Sequence, residues 1–475
     1  MHGRRRLSER VLALSVGLLA CQARVASQGE IGSVTTPPAR PNVLIFLADD
    51  LGYGDIGVHG CQDIPTPSID SIAREGVRCT SGYVSAPRCS PSRCGLFTGR
   101  YQQRFLCELD APQGLPREEV MLAERLKAAG YATGLIGKWH LGKDEEDHPN
   151  ARGFDEFFGF LGGLNDYLPD GESFPKILRG RELAHEKGHL TEAFGREAVA
   201  FLERHAREPF LLTVAFNAPH GPLQAPPELL AEFAAIAEPK RRAYAAVVSA
   251  MDDAIGAVLA KLRALELEER TLVFFLSDNG GPQVKRSWNG SSNGALRGQK
   301  GGLWEGGIRV PFLARWKGVL PEGRVYDQPV SALDIAPTVL ALVGVPVRGE
   351  RALDGVDILP HLAGRVPDPP HAALFWRFSL PPRRVDEHKW AIRMGDVKLV
   401  HSPDRDPLTG EPRGVGFTGL YDVVHDPGET VDLTASRPEL AKELEARWRE
   451  WNAGLPPPPG QGGAAVGEDE DRDDD

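Results

Sequence analysis

The sequence of 475 residues lacks a Cys-x-x-Cys pair, a dense run of basic residues and an internal repeat. Without cysteines paired at that spacing, nothing indicates a structural zinc or iron–sulfur site. The absence of a basic run argues against a nucleic-acid surface, and 55 basic and 66 acidic residues give a net charge of −11. An anionic ligand would therefore need positive charge gathered locally in a pocket.

The N-terminus is typical of an export signal. An apolar run over residues 11–20 follows a cluster of arginines, and it is too short to span a bilayer. The run ends in Leu-Leu-Ala-Cys, which resembles a bacterial lipobox with Cys21 as the lipidated residue; ordinary cleavage near Ser27 is the competing interpretation. We expect residues 1–40 to be a signal peptide and linker, and the protein to be periplasmic, anchored at the outer membrane or secreted.

The length favours one large domain followed by a smaller one. We place the large domain at residues 41–368 and the small one at residues 369–455. Residues 456–475 are predicted to be a disordered tail, because the last eight residues hold seven acids and one arginine.

Four apolar runs of strand length predict a mainly parallel sheet that is covered on both faces. They occupy residues 43–48, 131–136, 210–216 and 271–276. Helical patterns at residues 121–129, 191–205 and 241–265 lie between them, so strands and helices alternate as in an α/β sandwich.

Each of these runs ends in side chains able to do chemistry. The first ends at Asp49 and Asp50, the second at Lys138 and His140, the third at His220, and the fourth at Asp278 and Asn279. In open α/β sheets, sites form outside the carboxyl ends of the strands. We therefore expect these residues to meet at one edge. A glycine-rich loop brings Lys300, but it lacks the order of a nucleotide P-loop.

The C-terminal region differs from the rest of the chain in having short, closely spaced strand patterns. Short strand patterns at residues 372–378, 389–394, 397–401 and 419–424 predict a small antiparallel sheet, with a hairpin turn at Gly395-Asp396. A helical pattern at residues 438–451 follows.

The stretch Cys89-Ser90-Pro91-Ser92-Arg93 predicts the start of a helix, with a serine hydroxyl at its cap. Cys89 would then lie beside the free N–H groups of a helix N-terminus, a position expected to lower a thiol pKa. Arg93, about one turn on, would face the same anion. A capped helix with an inert buried cysteine is the alternative that this local pattern leaves open.

This stretch, followed by Leu-Phe-Thr-Gly-Arg, resembles the signature of the type I sulfatases, the arylsulfatase-like branch of the alkaline phosphatase superfamily. Gly-Lys-Trp-His-Leu-Gly, Ala-Pro-His and the C-terminal Leu-Tyr-Asp pattern also match that family. The resemblance covers residues 41 to about 450. It implies an alkaline phosphatase-like fold and makes residues 41–368 the catalytic domain.

The resemblance implies that a formylglycine-generating enzyme oxidises Cys89 to formylglycine. It also implies one calcium ion, held by Asp49, Asp50, Cys89, Asp278 and Asn279. Carboxylate and amide oxygens independently suit calcium or magnesium better than zinc. Taken singly, each of these acids would more often be a helix cap or a turn residue.

For the cationic residues, the resemblance implies that Arg93, Lys138 and Lys300 position the sulfate or the formylglycine. His220 would protonate the leaving alcohol, and His140 would act on the formylglycine hydrate. A hydroxyl of that hydrate attacks sulfur, and the second hydroxyl then expels sulfate as the aldehyde reforms.

Two further motifs occur in the sequence, and the cysteine pairing is open. His185-Glu186-Lys187-Gly188-His189 matches a zinc-protease string, but the glycine argues against the helix which that chemistry requires. Asn289 begins a glycosylation sequon. If Cys21 and Cys89 are set aside, the four remaining cysteines allow three pairings (Cys61, Cys79, Cys94 and Cys107), and Cys94 could pair with a nearby thiol.

We therefore expect a sulfuric ester hydrolase acting on sulfated carbohydrates or aryl sulfates. A phosphonate or phosphate-ester hydrolase of the same superfamily and a non-catalytic protein that binds sulfated glycans are the alternatives. Substrate choice is expected in loops at residues 162–175, 222–239 and 385–390.

Overall fold

The computed structural model of the protein describes residues 40–109, 114–168, 176–283, 285, 288–347, 351–378, 388–403 and 416–458. The predicted export signal, the lipid-anchor cysteine Cys21 and the acidic end of the tail lie outside these residues, as do parts of two predicted substrate loops. The predicted domain boundaries near residues 368 and 455 stay predictions.

A ten-stranded sheet forms the larger part of the fold, in the order β11-β2-β10-β9-β1-β8-β4-β5-β6-β7. Strands β9, β1, β8, β4 and β5 are parallel, and the strands flanking them on each side are antiparallel. The strands are β1 Asn42–Ala48, β2 Val77–Cys79, β4 Ala132–Lys138, β5 Glu156–Phe160, β6 Leu178–Arg179, β7 Glu182–Leu183, β8 Phe210–Ala215, β9 Thr271–Ser277, β10 Phe312–Arg315 and β11 Arg324–Tyr326. A separate pair consists of β3 Gly82–Tyr83 and β12 Val330–Ser331.

The prediction of a sheet covered on both faces is confirmed. Alternate residues of β1 enter two different cores: Val43 packs on one face and Leu44 on the other. Both are fully buried, which explains why this strand is a continuous apolar run.

Helices cover each face of this sheet. Residues of α2, α3 and α8 line one core, and residues of α1, α4 and α6 line the other. The helices of this region are α1 Pro67–Arg74, α2 Cys89–Thr98, α3 Leu122–Ala128, α4 Leu190–Arg204, α5 Pro227–Glu232, α6 Pro239–Ala264, α7 Glu305–Ile308, α8 Ile335–Val343 and α9 Leu359–Leu362. Helix α6 is long and apolar enough to cross a membrane, but it is mostly buried against α4 and α1 as a core helix.

The predicted C-terminal sheet is confirmed. Its four antiparallel strands are β13 Leu374–Phe378, β14 Lys389–Met394, β15 Val397–Ser402 and β16 Phe417–Asp422, and α10 Pro438–Ala453 packs on it. Met394 pairs with Val397 across the predicted turn, where Gly395 adopts a left-handed φ of 56°. The rings of Trp390 and Trp448 stack at 4.6 Å and join the helix to the sheet.

The predicted helix at Cys89 exists, but the predicted serine cap is wrong. Helix α2 begins at Cys89, and its N-cap Arg88 makes no capping hydrogen bond through its side chain. The Ser90 hydroxyl instead donates to the backbone oxygen of His140 at 2.9 Å. A disulfide links Cys94 on helix α2 to Cys107, in the segment after the helix. The spacing of the cysteines had left this pairing open.

Candidate active site

The four chemistry-bearing strand ends meet at one edge of the sheet. Strands β9, β1, β8 and β4 are consecutive neighbours, so their carboxyl ends lie side by side. Backbone bonds fix the loops that follow them. Asp49 N–H donates to the oxygen of Ala218, and Asp278 N–H donates to that of Ala48, each at 3.0 Å.

Ion pairs join six of the predicted site residues, all of which are buried except the half-buried Lys300. Lys138 Nζ lies 2.7 Å from Asp49 Oδ2, and Lys300 Nζ lies 3.0 Å from Asp50 Oδ2. Arg93 donates through Nε and Nη2 to Asp278 Oδ2, at 3.0 and 2.8 Å. We call these six residues the active-site cluster (Asp49, Asp50, Arg93, Lys138, Asp278 and Lys300).

Backbone geometry brings Lys138 to this point. Gly137 has a φ of 109°, and a Cβ there would lie 1.8 Å from the oxygen of Ala215 on the neighbouring strand. Only glycine permits that approach, so strands β4 and β8 can close together just before the lysine.

Cys89 lies inside the cluster, with its Sγ donating to Asp49 Oδ1 at 3.3 Å. Only 3% of the residue is exposed. The predicted low thiol pKa is wrong. Burial raises the pKa of Cys89 well above its usual value, and the charges of Asp278 and Asp49 raise it further, against a smaller opposing effect of Lys138. Unmodified Cys89 is therefore a thiol and a poor nucleophile.

His220 lies where its Nε2 can reach the cluster. Its Nδ1 is 2.8 Å from the oxygen of Gly221, and a carbonyl can only accept, so Nδ1 carries a hydrogen. Nε2 lies 3.2 Å from Lys300 Nζ and 3.5 Å from Asp50 Oδ2. The backbone thus fixes the tautomer and directs Nε2 towards the buried charges.

His140 follows strand β4 in a left-handed conformation, with a φ of 59°. Burial lowers its pKa well below the usual value, and the charges of Lys138 and Arg93 lower it further. A neutral imidazole can accept a proton, which is the capacity that the prediction required.

The donor set fits a hard cation. Asn279 is fully buried and its Nδ2 donates to Asp50 Oδ1 at 2.6 Å, whereas its Oδ1 has no hydrogen-bond partner among the described residues. A buried oxygen without a partner is costly unless something binds it. Calcium or magnesium prefers such an oxygen beside carboxylates.

A second grouping of donor atoms overlaps this one. Ligand atoms of Asp49, Asp50, Cys89 and His220 lie within 4.8 Å of one another. A cysteine–histidine set alone would suit zinc, but two of these four donors are aspartates, and Asn279 Oδ1 offers a further oxygen. Oxygen donors therefore define the candidate metal site.

Two aspartates of the active-site cluster, Asp49 and Asp278, have opposite pKa shifts. Burial alone would raise the pKa of Asp49, but Lys138, His220 and Arg93 hold it far below its usual range. Burial and the charge of Asp49 raise the pKa of Asp278 to about 7, against the opposing effect of Arg93. A bound divalent cation would favour the charged form of both carboxylates.

The structure also shows what the zinc-protease string and the glycosylation sequon do in this fold. Residues 185–189 are not helical, and His189 Nε2 instead contacts the backbone oxygen of Gln224, so the zinc-protease geometry is absent from this segment. Asn289 is 9% exposed, and its Nδ2 donates to the oxygen of Pro219 at 3.1 Å. The sequon asparagine is therefore a buried structural residue beside His220, which the sequence pattern did not indicate.

Sequence comparison identifies the family. The sulfatase family model matches residues 41–345, which carry every member of the active-site cluster. The chain belongs to the sulfatase family. A second model, the C-terminal region of N-sulphoglucosamine sulphohydrolase, matches residues 299–452 of this sulfatase.

Individual relatives agree with this assignment. The chain is 36% identical to N-acetylgalactosamine-6-sulfatase of Sus scrofa, over 71% of this chain and 69% of that protein. It is 32% identical to steryl-sulfatase of Mus musculus, over 95% and 88% of the two chains. A solved structure of Ps i-CgsB in complex with k-i-k-neocarrahexaose is 33% identical, with a TM-score of 0.80, and covers 88% of this chain and 94% of that one. This protein is thus an enzyme that hydrolyses sulfate esters, on an alkaline phosphatase-like fold.

Proposed function

We propose that this sulfatase removes sulfate from sulfated carbohydrates, with Cys89 converted to formylglycine and a calcium ion bound beside it. The observation that carries the proposal is the mostly buried constellation at Cys89, where three carboxylates and three cations lie beside Asn279 Oδ1. That oxygen has no hydrogen-bond partner among the described residues. Asp49, Asp50, Asp278, Asn279 and residue 89 itself would hold the metal. Formylglycine would supply the nucleophilic oxygen, and calcium would draw charge from it and from the sulfate.

The remaining residues bind and orient. Lys138 donates to Asp49, and Lys300 donates to Asp50. The two ammonium groups would donate their other N–H bonds to sulfate oxygens. Arg93 holds Asp278 and also donates to the backbone oxygen of Lys138 at 3.0 Å. It thereby fixes helix α2, which carries Cys89, against strands β4 and β9.

Two histidines would move protons. His220 presents Nε2 towards the cluster and would hold the proton that the leaving sugar oxygen takes. His140, neutral and half-buried beside Lys138, would accept the proton released as sulfate departs. The first role needs a hydrogen on Nε2 of His220, and the second needs a neutral imidazole at His140.

The carbohydrate assignment draws on the relatives. One is named for N-acetylgalactosamine 6-sulfate, and another was solved with a neocarrahexaose. A panel of 6-sulfated N-acetylgalactosamine, a sulfated neocarrahexaose and a steryl sulfate tests it, with a matched aryl phosphonate added. We expect sulfate release from a sugar ester to exceed that from the steryl ester. Faster phosphonate cleavage would favour the phosphonate-hydrolase alternative.

The decisive test of the nucleophile is the mass of the Cys89 peptide from protein made together with a formylglycine-generating enzyme. We expect replacement of sulfur by the aldehyde oxygen at Cys89, with Cys79, a second buried free cysteine, unchanged as the internal control. An unmodified Cys89 in protein that nevertheless releases sulfate would overturn the proposal. Release of no sulfate, with binding of a sulfated glycan retained in Cys89→Ala, would support the non-catalytic alternative.

We further propose that the chain is exported, on the basis of the arginine cluster and apolar run before residue 21. Radiolabelled lipid incorporation in the wild type and in Cys21→Ala distinguishes a lipid anchor from ordinary cleavage.

Conversion of Cys89 must precede folding of helix α2, because the side chain is buried in the folded protein.

A further inference from the structure

We propose that Tyr167 and Asn289 are positioning residues that hold the His220 loop from two sides. They keep Nε2 of His220 at the place where the leaving oxygen is protonated. The inference rests on the proposed role of His220 as the proton donor, and it adds two residues that the sequence pattern did not indicate.

The loop is the tight turn that follows strand β8. Its backbone closes on itself through a bond from His220 N–H to the oxygen of Asn217, at 2.8 Å. The ring is tied back by Nδ1 to Gly221, so the position of Nε2 is set by the backbone of this turn. Any movement of the turn is therefore transmitted to Nε2.

Tyr167 holds one side of the turn. The residue is 1% exposed, and its hydroxyl lies 2.8 Å from the backbone oxygens of both Asn217 and His220. Both oxygens can only accept, so the single hydroxyl hydrogen is shared between the two ends of the turn. Removal of the Tyr167 hydroxyl takes away the hydrogen-bond donor that the oxygens of Asn217 and His220 share, which destabilises the turn.

Asn289 holds the other side. Its Nδ2 donates to the oxygen of Pro219, one of the two residues between those that Tyr167 contacts. Its Oδ1 accepts from Ser291 N–H at 3.1 Å, which fixes the amide orientation. Three of the backbone oxygens between residues 217 and 220 are thus bonded to two side chains from distant parts of the sequence.

The tyrosine is itself fixed. Its backbone N–H donates to Gln224 Oε1 at 2.9 Å, and its ring stacks on that of His189 at 5.3 Å. His189 in turn contacts the backbone oxygen of Gln224. This packing gives the second histidine of the false zinc-protease motif a structural role, and it makes Tyr167 a rigid support.

Protonation of the leaving oxygen matters most when that oxygen is a poor leaving group. The test therefore measures kcat/KM for 4-nitrophenyl, 4-chlorophenyl and phenyl sulfates with Tyr167→Phe and Asn289→Ala. We expect a loss within about twofold for the nitrophenyl ester and of about tenfold or more for the phenyl ester. Tyr101→Phe, which removes a buried hydroxyl bonded to Phe375 N–H on the C-terminal sheet, is the matched control and should show no such slope.

His220→Ala separates this inference from the proposed function. It should give the steepest dependence on the leaving group. If His220→Ala is steep and both positioning variants lose activity equally on all three esters, or lose none, the positioning role is overturned and the proton donor stands. If His220→Ala itself shows no slope, the proposed proton donor fails and the positioning role fails with it. Asn289→Ala provides the result if Tyr167→Phe does not fold.

Discussion

Among the described residues, two clusters of mostly buried charge differ in how open they are to a ligand. Lys300 of the active-site cluster and the neighbouring His220 have side chains that are 19% and 12% exposed. The cluster also borders Asn279 Oδ1, which has no hydrogen-bond partner among the described residues. The second, which we call the β15 cluster, joins strand β15 to the larger sheet region. Its members are at most 2% exposed (Tyr83, Glu305, Arg393, Lys398 and Glu429).

The charges of the β15 cluster pair mainly with one another, and Glu305 Oε2 also lies 3.3 Å from Arg309 Nη1. Lys398 Nζ lies 2.9 Å from a carboxylate oxygen of both Glu305 and Glu429. Tyr83 donates to Glu305 Oε2 at 2.6 Å, and the backbone N–H of Glu305 donates to Glu429 Oε2 at 2.8 Å. Buried charge by itself therefore does not mark a reactive site. An incomplete donor set beside an opening does.

Cys89→Ala should have the largest effect, because it removes the side chain that the proposed function converts to the formylglycine nucleophile. We expect a loss of sulfate release greater than about 10⁴-fold. Thermal stability should change little, since the thiol makes a single weak bond to Asp49. Ion chromatography of released sulfate and the Tm measure the two effects. Substantial residual turnover would show that the nucleophile lies elsewhere.

Lys398→Met should lower the stability of the protein and leave its catalytic activity unchanged. It leaves Glu305 and Glu429 buried without their shared cation, which costs about 3–5 kcal/mol. Urea unfolding measures the free energy, and kcat per folded molecule should be retained. Lys442→Met is the control, because that lysine and its partner Glu439 are exposed and their pair contributes less than about 1 kcal/mol. Equal losses in the two variants would contradict the comparison.

Calcium should stabilise the active-site cluster alone. At a hundred times the dissociation constant, a bound ion adds about 2.7 kcal/mol to the free energy of unfolding. We expect chelation to lower the Tm and abolish turnover, and Asn279→Ala to reduce the Tm shift. Glu429→Gln should keep the full shift, since the β15 cluster has no part in metal binding. An unchanged Tm and unchanged activity after thorough chelation would refute the metal assignment.

The smallest effect concerns pH. Burial raises the pKa of Glu429 to about 7 and the charge of Glu305 adds to this, against the opposing effect of Lys398. A carboxyl pKa that is raised by folding favours the protonated form, so its stabilisation is complete below the ordinary value near 4.5.

That stabilisation is lost as the pH rises through the folded pKa of about 7. Glu429→Gln should flatten the decline in Tm across this range, and Glu439→Gln, on the surface, should not. A wild-type Tm that rises between pH 4.5 and 7 by an amount that Glu429→Gln removes would show that the shift has the opposite sign.

Much of the fold was readable locally. Strand β14 occupies the predicted residues 389–394, and helix α4 lies within one residue of its predicted bounds at each end. The apolar strands and the amphipathic helix carry their periodicity in the sequence itself. The short strands β2, β10 and β11 were not predicted, because three or four residues show no period and pair only through partners far along the chain.

The sequence by itself determined the family signature at Cys89, the alternation of strands and helices, and the polar ends of the parallel strands. Parallel strands must end at a common edge, so listing those ends was enough to predict which residues would meet.

Only the tertiary structure decided the raised pKa of Cys89, the Cys94–Cys107 pairing, the β15 cluster, and the hold of Tyr167 and Asn289 on His220. Each of these depends on burial or on contacts between distant segments, and neither has a local pattern in the chain.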